Sequence, residues 1–288
     1  MEIDEKKKRV VQEIQALPTL PVVMMKILEC IDDPHSSAKD LKDIITNDIS
    51  ISTKVLSLAN SAFYGYARTI EDITRAIVVL GFETIIDVAL SVSLNSILSP
   101  AGDCFEISME EFWKHSMATG EAGRLCAKKE LYPYSERAFL IGLTHDVGKI
   151  ALACFFQTEF NNAIKNSLAK DTFIYNTEKN SLGFSHSDAG GWLAEKWNLP
   201  PTILIPIQFH HKPENAPPEF QREAILAHLA DYLAKHASIG NSGDNNKLPE
   251  LSPLVHSQLK INEDKIKTLA ENLEKLKPKI DAFVGTVL

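Results

Sequence analysis

Apolar residues recur at helical spacing along almost the whole chain. In the first half, for example, the segment from Val22 to Ile31 carries apolar side chains three and four positions apart. Prolines, serines or glycines interrupt such segments every 10 to 15 residues, with Pro21 suited to the first turn of one helix and Ser37 to the N-cap of the next. No alternating strand pattern occurs between Leu17 and Leu98, so this half predicts a bundle of about five short helices.

The second half is helical by the same criterion, after a break at residues 99–103. Helices are expected over about residues 109–128, 136–156, 187–197, 201–211 and 219–237, with a polar stretch at 157–185 and a surface loop at 240–246. The predicted fold is therefore all-α, a two-lobed helical bundle. We expect an N-terminal helical subdomain over residues 1–103, a second bundle over 104–240, and a loop with a C-terminal helix over 241–288.

The C-terminal segment has the seam of an amphipathic helix. Its apolar positions step by three and four residues, with Pro278 between them; they are Ile266, Leu269, Leu273, Leu276, Ile280 and Phe283. The repeat is short for a coiled coil. We expect this helix to pack on the body of the protein, with dimerisation as the alternative.

The amino-acid composition is that of an ordinary globular protein. The charge balance bears on which kind of partner the protein binds. The chain has 288 residues, with 30 Lys and Arg against 38 Asp and Glu and a net charge of -8. This balance argues against nucleic acid as the main partner, although a local basic patch is compatible with it. Since no run of about 18 uncharged apolar residues occurs, we expect a cytoplasmic protein without a membrane segment.

Histidines supply the candidate chemistry. Six of the nine lie between His115 and His228. His145 and Asp146 fall in an apolar segment that predicts a buried helix, and Lys149 lies one turn further on. Buried ionisable groups cost several kcal/mol unless they are paired. These three side chains therefore need a metal ion, a phosphate or one another.

Other side chains suit the same crevice. Glu111 and His115 are four residues apart and share one helix face, and Asp231 stands among small and apolar residues. His186 and the pair His210-His211 lie at the ends of predicted helices, where a histidine can instead interact with the helix dipole. Imidazole and carboxylate together suit iron, manganese, zinc or nickel better than magnesium. Ordinary surface or core roles are expected for the remaining histidines, His35, His228, His236 and His256.

The order of these residues resembles the HD superfamily of metal-dependent phosphohydrolases, whose signature is a His, a His-Asp doublet and a distal Asp on a helical bundle. From Leu17 to about Pro213 the chain resembles the HDOD family more closely. The motifs that carry this resemblance are Leu17-Pro18-Thr19-Leu20-Pro21, Leu58-Ala59-Asn60-Ser61-Ala62-Phe63-Tyr64-Gly65, Ala76-Ile77-Val78-Val79-Leu80-Gly81, Phe112-Trp113, Gly142-Leu143-Thr144-His145-Asp146-Val147-Gly148 and Trp197-Asn198-Leu199-Pro200.

The resemblance implies an N-terminal helical subdomain followed by an HD-like bundle. HDOD modules usually serve as output or regulatory domains in bacterial signalling and generally lack a demonstrated enzymatic activity. By analogy with HD-GYP phosphodiesterases, a first metal would be held by His115, His145, Asp146 and Asp231, and a second by the bridging Asp146 with His186, His210 and His211. Glu111 would add a ligand, and Lys149 matches the lysine that faces substrate phosphate there, which makes Asp146 and Lys149 the catalytic candidates.

One departure from those phosphodiesterases leaves the substrate open. The residues after His211 contain none of the Gly-Tyr-Pro element that marks cyclic-di-GMP phosphodiesterases. We therefore predict a signalling module whose pocket holds one or two divalent transition metals, with signalling proteins and a phosphorylated small molecule as partners. The alternative is a metal-dependent phosphohydrolase that acts on a nucleotide or cyclic dinucleotide with metal-activated water.

Overall fold

The computed structural model describes residues 2–17, 19–33, 35–66, 68–98, 107–127, 135–244 and 246–287. These ranges consist of helices joined by turns and short loops, and they contain no β-strand. The all-α prediction is therefore confirmed. The break expected at 99–103 lies outside the described residues.

The helices vary from seven to nineteen residues. In chain order they are α1 (Glu2–Ala16), α2 (Val22–Asp32), α3 (Ala38–Thr46), α4 (Ile49–Ala59), α5 (Ile73–Leu80), α6 (Phe82–Leu98), α7 (Met109–Ala127), α8 (Ser135–Thr144), α9 (Val147–Phe155), α10 (Gln157–Ala169), α11 (Ile174–Leu182), α12 (His186–Lys196), α13 (Pro201–Phe209), α14 (Gln221–His236), α15 (Pro253–Leu259), α16 (Glu263–Glu274) and α17 (Lys277–Val287). Two 3₁₀ turns, Pro213–Asn215 and Pro218–Phe220, join α13 to α14.

One compact unit is formed by residues 18–99 and 278–288. Side-chain caps begin several of its helices: the Ser37 hydroxyl accepts the N–H of Asp40 at the start of α3, as predicted for this serine. Asp48 and Asp72 cap α4 and α5 in the same way. Helices α2, α3, α4 and α5 pack against α6, which is buried on most sides. Helices α2 to α6 match the short helices expected in this half.

The second compact unit comprises residues 1–17 and 100–277 and contains every candidate site residue. Helix α7 packs along α8 and α14, and α9 packs against α12. Helix α13 contacts both α12 and α14. The centre of this unit is therefore the place where α7, α9, α12, α13 and α14 approach one another.

The ends of the chain depart from the sequence-based division. Helix α1 belongs with the second unit, because Val10 and Ile14 are fully buried and the helix packs on α9, α11 and α12. The C-terminal seam is divided between two helices that meet at residues 275–276. Helix α16 packs on α7 and α14, whereas α17 belongs from Pro278 onward to the first unit.

Two segments of the second unit differ from their predicted form. The polar stretch at 157–185 is helical, because α10 and α11 bury one narrow face, including Phe160, Ile164 and Ile174, beneath polar side chains. The single helix expected over 136–156 is broken into α8 and α9 at His145 and Asp146. Both differences change the surroundings of the candidate site.

The segment Arg137–Phe155 is long and apolar enough to cross a membrane by length and composition. In the structure, 89% of its apolar window is buried inside the protein. Helices α5 and α6 pass the same test only as a pair, and a bend of 112° separates them. Core helices of globular proteins share these properties, and burial accounts for the apolar character of Arg137–Phe155.

Candidate metal centre

Imidazole and carboxylate side chains from five parts of the second unit converge at its centre. They are His115 of α7, His145 and Asp146 between α8 and α9, His186 at the start of α12, His210 and His211 after α13, and Asp231 of α14. Each of them except His211 is at most 3% exposed. The structure therefore brings together seven of the eight residues predicted as metal ligands.

The helix break places the His-Asp doublet at the centre of this cluster. Helix α8 ends at Thr144, and the Nδ1 of His145 lies 2.7 Å from the carbonyl oxygen of Gly142. Asp146 occupies the N-cap position of α9, but its side chain makes no capping hydrogen bond. Its carboxylate is thereby available to the histidines around it.

Close packing of α9 on α12 brings Asp146 to His186. A Cβ atom on Gly148 would lie 1.9 Å from the carbonyl oxygen of His186 and 2.5 Å from the backbone nitrogen of Gly190. Only glycine permits this approach. As a result, Oδ1 of Asp146 lies 3.2 Å from Nε2 of His186.

The ligand atoms form two groups that share Asp146. Within each group, the atoms lie within 4.8 Å of one another; the groups are His115, His145 and Asp146, and Asp146, His186, His210 and His211. Oδ1 of Asp231 adjoins the first group, at 3.1 Å from Nε2 of His115 and 3.7 Å from Nε2 of His145. The carboxylate of Asp146 directs Oδ2 to His145 and Oδ1 to His186. Asp146 thus faces both groups, and its Oδ2 lies between His145 and Lys149.

Several of these atoms are buried without a hydrogen-bond partner among the described residues. They are Nε2 of His115, His145 and His210, and Oδ1 of Asp146 and Asp231. Leaving one such atom unsatisfied costs about 1 to 3 kcal/mol, and more for a charged group. A cation bound between these five atoms, which point at one another, would satisfy all of them at once. The residues present therefore fit a divalent transition metal.

Groups behind the ligands fix the orientation of three imidazoles. Carbonyl oxygens of Gly142 and Ile207 accept from Nδ1 of His145 and His210, at 2.7 and 2.8 Å. A carboxylate oxygen of Glu178 accepts from Nδ1 of His186 at 2.7 Å. In a neutral ring these hydrogen bonds leave the lone pair on Nε2, which faces the cluster. Outer-shell partners of this kind are typical of metal-bound histidine.

At five of the ligands the electrostatic environment favours the protonation state that metal binding needs. Burial alone would raise the pKa of Asp146, but His145 and Lys149 outweigh it and hold that pKa well below its usual range. Lys235 and His115 act against burial in the same way at Asp231. Burial lowers the pKa of His115, His210 and His211, which favours their neutral forms.

Two predicted residues occupy positions other than those expected. The Glu111 carboxylate is 44% exposed and lies 3.5 Å from Nζ of Lys114, so the structure does not bring it to the cluster. It lies one turn before His115, where its backbone carbonyl accepts the N–H of Asn241. Nζ of the fully buried Lys149 contacts Oδ2 of Asp146 at 2.7 Å and the Ser242 hydroxyl at 3.0 Å. Its ammonium is thus committed to protein partners.

Sequence reasoning missed four polar residues around the ligands: Glu178, Lys235, Ser242 and Asp244. Glu178 lies in the stretch that was predicted only as polar. Ser242 and Asp244 belong to the predicted surface loop, yet they are only 2% and 5% exposed. The segment is a loop, as predicted, but its placement at the surface was wrong. The lysine-to-aspartate spacing of four residues in α14 is the one signal that could have indicated Lys235.

Cavities adjoin the cluster on the side of His211. One of about 240 Å³ is lined by residues that include Phe173, Tyr175, His211, Lys212 and Lys235. A second of about 450 Å³ shares His211 and Lys212 with it. The His211 ring lies 4.1 Å from the His210 ring and 4.6 Å from the Tyr175 ring, between centroids. His211 therefore connects the buried ligands with the space in which a small molecule could bind.

Comparison with known proteins gives a consistent fold. One solved structure with this fold is that of a protein from Marinobacter aquaeolei VT8, provisionally described as a signal transduction protein. The two sequences are 20% identical, and the structures superpose with a TM-score of 0.84 over 99% of this chain and 65% of that one. A protein from Shewanella amazonensis SB2B, provisionally described as a phosphohydrolase, is 22% identical with a TM-score of 0.69 over 97% of this chain and 98% of that one. At these identities the likeness establishes the fold alone.

The sequence itself matches a family. An uncharacterized protein of Treponema pallidum (strain Nichols) is 25% identical over 223 residues, which cover 74% of this chain and 41% of that protein. The chain thus spans less than half the length of this curated relative. The model of the HDOD domain matches residues 17–213, more than half of the chain. With its His-Asp doublet at the junction of α8 and α9 and its all-helical fold, the protein belongs to the HDOD family.

Proposed function

We propose that this protein is a cytoplasmic signalling module whose second unit binds one or two divalent transition metals and presents their state to signalling proteins. The observation that carries the proposal is the convergence of five buried, unpartnered ligand atoms, with Asp146 common to both groups. Iron, manganese, zinc and nickel suit this mixture of imidazole and carboxylate.

The closure of the centre supports a regulatory role. Structural metal sites fill their coordination positions with protein ligands, whereas catalytic sites keep a position for water or substrate. Here the first group and the adjoining Asp231 together offer four protein donors, and each of them is at most 3% exposed. Lys149, which would have to meet a substrate phosphate, is bonded to Asp146 and Ser242 and lines neither of the two cavities.

The balance of buried charge indicates that one divalent ion would suffice to neutralise the cluster, whereas two would need an additional anion. Four carboxylates outnumber two lysines by two, and a proton on His186, whose pKa Glu178 raises to about 9 against burial, would offset one of these two charges; the carboxylates are those of Asp146, Glu178, Asp231 and Asp244, and the lysines are Lys149 and Lys235. A divalent ion that displaces the His186 proton makes the cluster neutral. A second ion would leave two positive charges, which an anionic ligand such as a phosphorylated molecule would offset.

The second candidate function is a metal-dependent phosphohydrolase. It is favoured by the two cavities beside His211, because the cationic side chain of Lys212 lines both of them. A divalent ion would supply Lewis acidity to a phosphoester oxygen. The chain would contribute Lys212 at the cavity to bind the anion, and Tyr175 and Phe173 to contact its organic part.

Two measurements test these functions. Protein purified without chelators should contain about one to two equivalents of a transition metal by elemental analysis, and loss of this metal to EDTA should lower its melting temperature. Less than about 0.2 equivalent after reconstitution with iron, manganese, zinc or nickel would contradict both functions. Turnover of bis(p-nitrophenyl) phosphate by the loaded protein, abolished in Asp146→Ala, would instead establish the phosphohydrolase.

Metal binding at the second group should be coupled to release of a proton from His186. Burial would lower the pKa of this imidazole, but Glu178 outweighs it and raises the pKa to about 9 in the metal-free protein. Since Nε2 must lose its proton to bind a metal, the apparent affinity should rise about tenfold per pH unit below about pH 9 and level off above it.

Calorimetric titration with Mn²⁺ in buffers of different ionisation enthalpy measures this proton. Wild-type protein should release about one proton per ion at pH 7. Glu178→Gln removes the main cause of the raised pKa and should reduce both the release and the pH slope. Equal proton release by wild type and Glu178→Gln would contradict the assignment.

A further inference from the structure

Each ligand carboxylate is tied to one loop through a buried lysine. Lys149 joins Oδ2 of Asp146, at 2.7 Å, to the hydroxyl of Ser242, at 3.0 Å. Lys235 joins Oδ2 of Asp231, at 2.9 Å, to Oδ2 of Asp244, at 3.3 Å. Both lysines are at most 3% exposed. We call residues 239–244 the clasp loop, because both of these links end in it.

The clasp loop lies directly against the helix that carries His115. The N–H of Asn241 donates to the carbonyl of Glu111 at 3.0 Å. Gly240 has φ of +67°, and a Cβ atom there would lie 2.2 Å from the backbone nitrogen of His115. Oδ1 of Asp244 accepts the N–H of Ile174 at 2.8 Å and so anchors the loop to α11. The loop is thus a wall of the cluster.

The two links leave the same oxygen free on each ligand. In both Asp146 and Asp231, Oδ2 is held by a lysine, while Oδ1 is buried and has no hydrogen-bond partner among the described residues. A carboxylate held by one oxygen can rotate only slightly. Its second oxygen therefore remains directed at the histidines.

We propose that Ser242 and Asp244 are positioning residues for the metal centre, which orient Asp146 and Asp231 through Lys149 and Lys235. This inference rests on the proposed function, since it assigns the loop a role toward the bound ion. The loop restrains each ammonium on the side away from the ligand. Without that restraint the lysine is free to follow its carboxylate and to compete with the metal for both oxygens. By linkage, bound metal in turn stabilises the clasp loop in the position that these contacts define.

Asp244→Asn is the decisive variant. The amide keeps an oxygen that can accept the N–H of Ile174, but it removes the charge that faces Lys235. Asp171→Asn is the matched control, because this carboxylate is 92% exposed and pairs with Lys247, near the loop but outside the cluster. Asp171 has φ of 47°, a conformation that asparagine adopts readily. Ser242→Ala tests the other link.

Affinity for Mn²⁺ should fall about 10- to 100-fold in Asp244→Asn and Ser242→Ala, which is the range for outer-shell partners of a metal site. Asp171→Asn should bind as wild type does. Hydrogen exchange provides a readout that a purely structural loop would not give. Addition of Mn²⁺ should slow exchange in residues 239–247 of wild type, and this metal-dependent change should shrink in Asp244→Asn.

The outcomes separate this inference from the proposed function. Wild-type protein that binds no divalent ion overturns both. Wild-type binding with the same affinity, within about threefold, in Asp244→Asn and Ser242→Ala overturns the positioning role and leaves the metal centre standing. A loop whose exchange is equal with and without Mn²⁺ also overturns it. Melting temperatures measured in EDTA identify any variant that has lost its fold, and Ser242→Ala then carries the test if Asp244→Asn is unstable.

Discussion

Asp146→Asn should abolish metal binding at both groups. The substitution keeps the size of the side chain but removes the one carboxylate that lies within reach of His115, His145, His186 and His210. Outer-shell changes typically cost 10- to 100-fold in affinity, so loss of a shared ligand should exceed about 100-fold. Elemental analysis should find less than about 0.2 equivalent of metal in the purified variant.

The same variant should be less stable even without metal. Lys149 is fully buried, and in Asp146→Asn its ammonium would lose its charged partner and keep only neutral acceptors, the Ser242 hydroxyl and the amide oxygen. Removing one member of a buried ion pair costs about 3 to 5 kcal/mol. Chemical denaturation in EDTA measures this loss separately from the loss of metal.

Glu111→Gln is the control for Asp146→Asn. It makes the same acid-to-amide change on α7, at a carboxylate that is 44% exposed and pairs with Lys114. Metal content and stability should equal those of wild type within about 0.5 kcal/mol. A Glu111→Gln protein that loses its metal would restore Glu111 as a ligand, and an Asp146→Asn protein that keeps metal would remove the basis for a bridging carboxylate.

The general fold was predictable from sequence because its signal is local. Three- and four-residue apolar spacing indicates about five short helices in the first half, where α2 to α6 lie, and identifies α7 and α12 to α14 to within a few residues. The helices of the polar stretch at 157–185 were not predicted, because α10 and α11 bury only a narrow face and their hydrophobic period is therefore weak. The helix break at His145 and Asp146 was not predicted for the opposite reason. Both flanking helices are so apolar that the helical pattern continues across the break.

The candidate ligands were also accessible from sequence, through buried charge and the order of motifs. Their supporting residues were not, because nothing in the order of the chain relates Glu178 to His186 or Ser242 to Lys149. Lys149 and Ser242 lie 93 positions apart in the sequence and are brought together only by tertiary packing. Composition also misled, since glycine, serine and asparagine at 240–246 are typical of surface loops. Here the small residues instead permit close approach to α7, as the contact of Gly240 with His115 illustrates.

Gly148→Ala should be the most destabilising small substitution near the site. The added methyl group would meet backbone atoms of α12, at 1.9 Å from the His186 carbonyl oxygen and 2.5 Å from the Gly190 nitrogen. Backbone cannot move aside as a flexible side chain can, so α9 and α12 would have to separate. We expect a loss of at least about 3 kcal/mol, or about 6 to 12 °C in melting temperature for a unit of this size.

Separation of those helices would also affect the metal. Asp146 precedes α9 and His186 begins α12, so the 3.2 Å distance between their ligand atoms depends on the contact at Gly148. Metal affinity of Gly148→Ala should therefore fall together with its stability. Gly191→Ala is the matched control, since it adds the same methyl group to α12, where the nearest atoms at 3.3 Å belong to the Gln208 side chain. It should change stability by less than about 1 kcal/mol and leave Mn²⁺ binding intact. If Gly148→Ala and Gly191→Ala melt together, the close packing of α9 on α12 does not hold Asp146 and His186 in place.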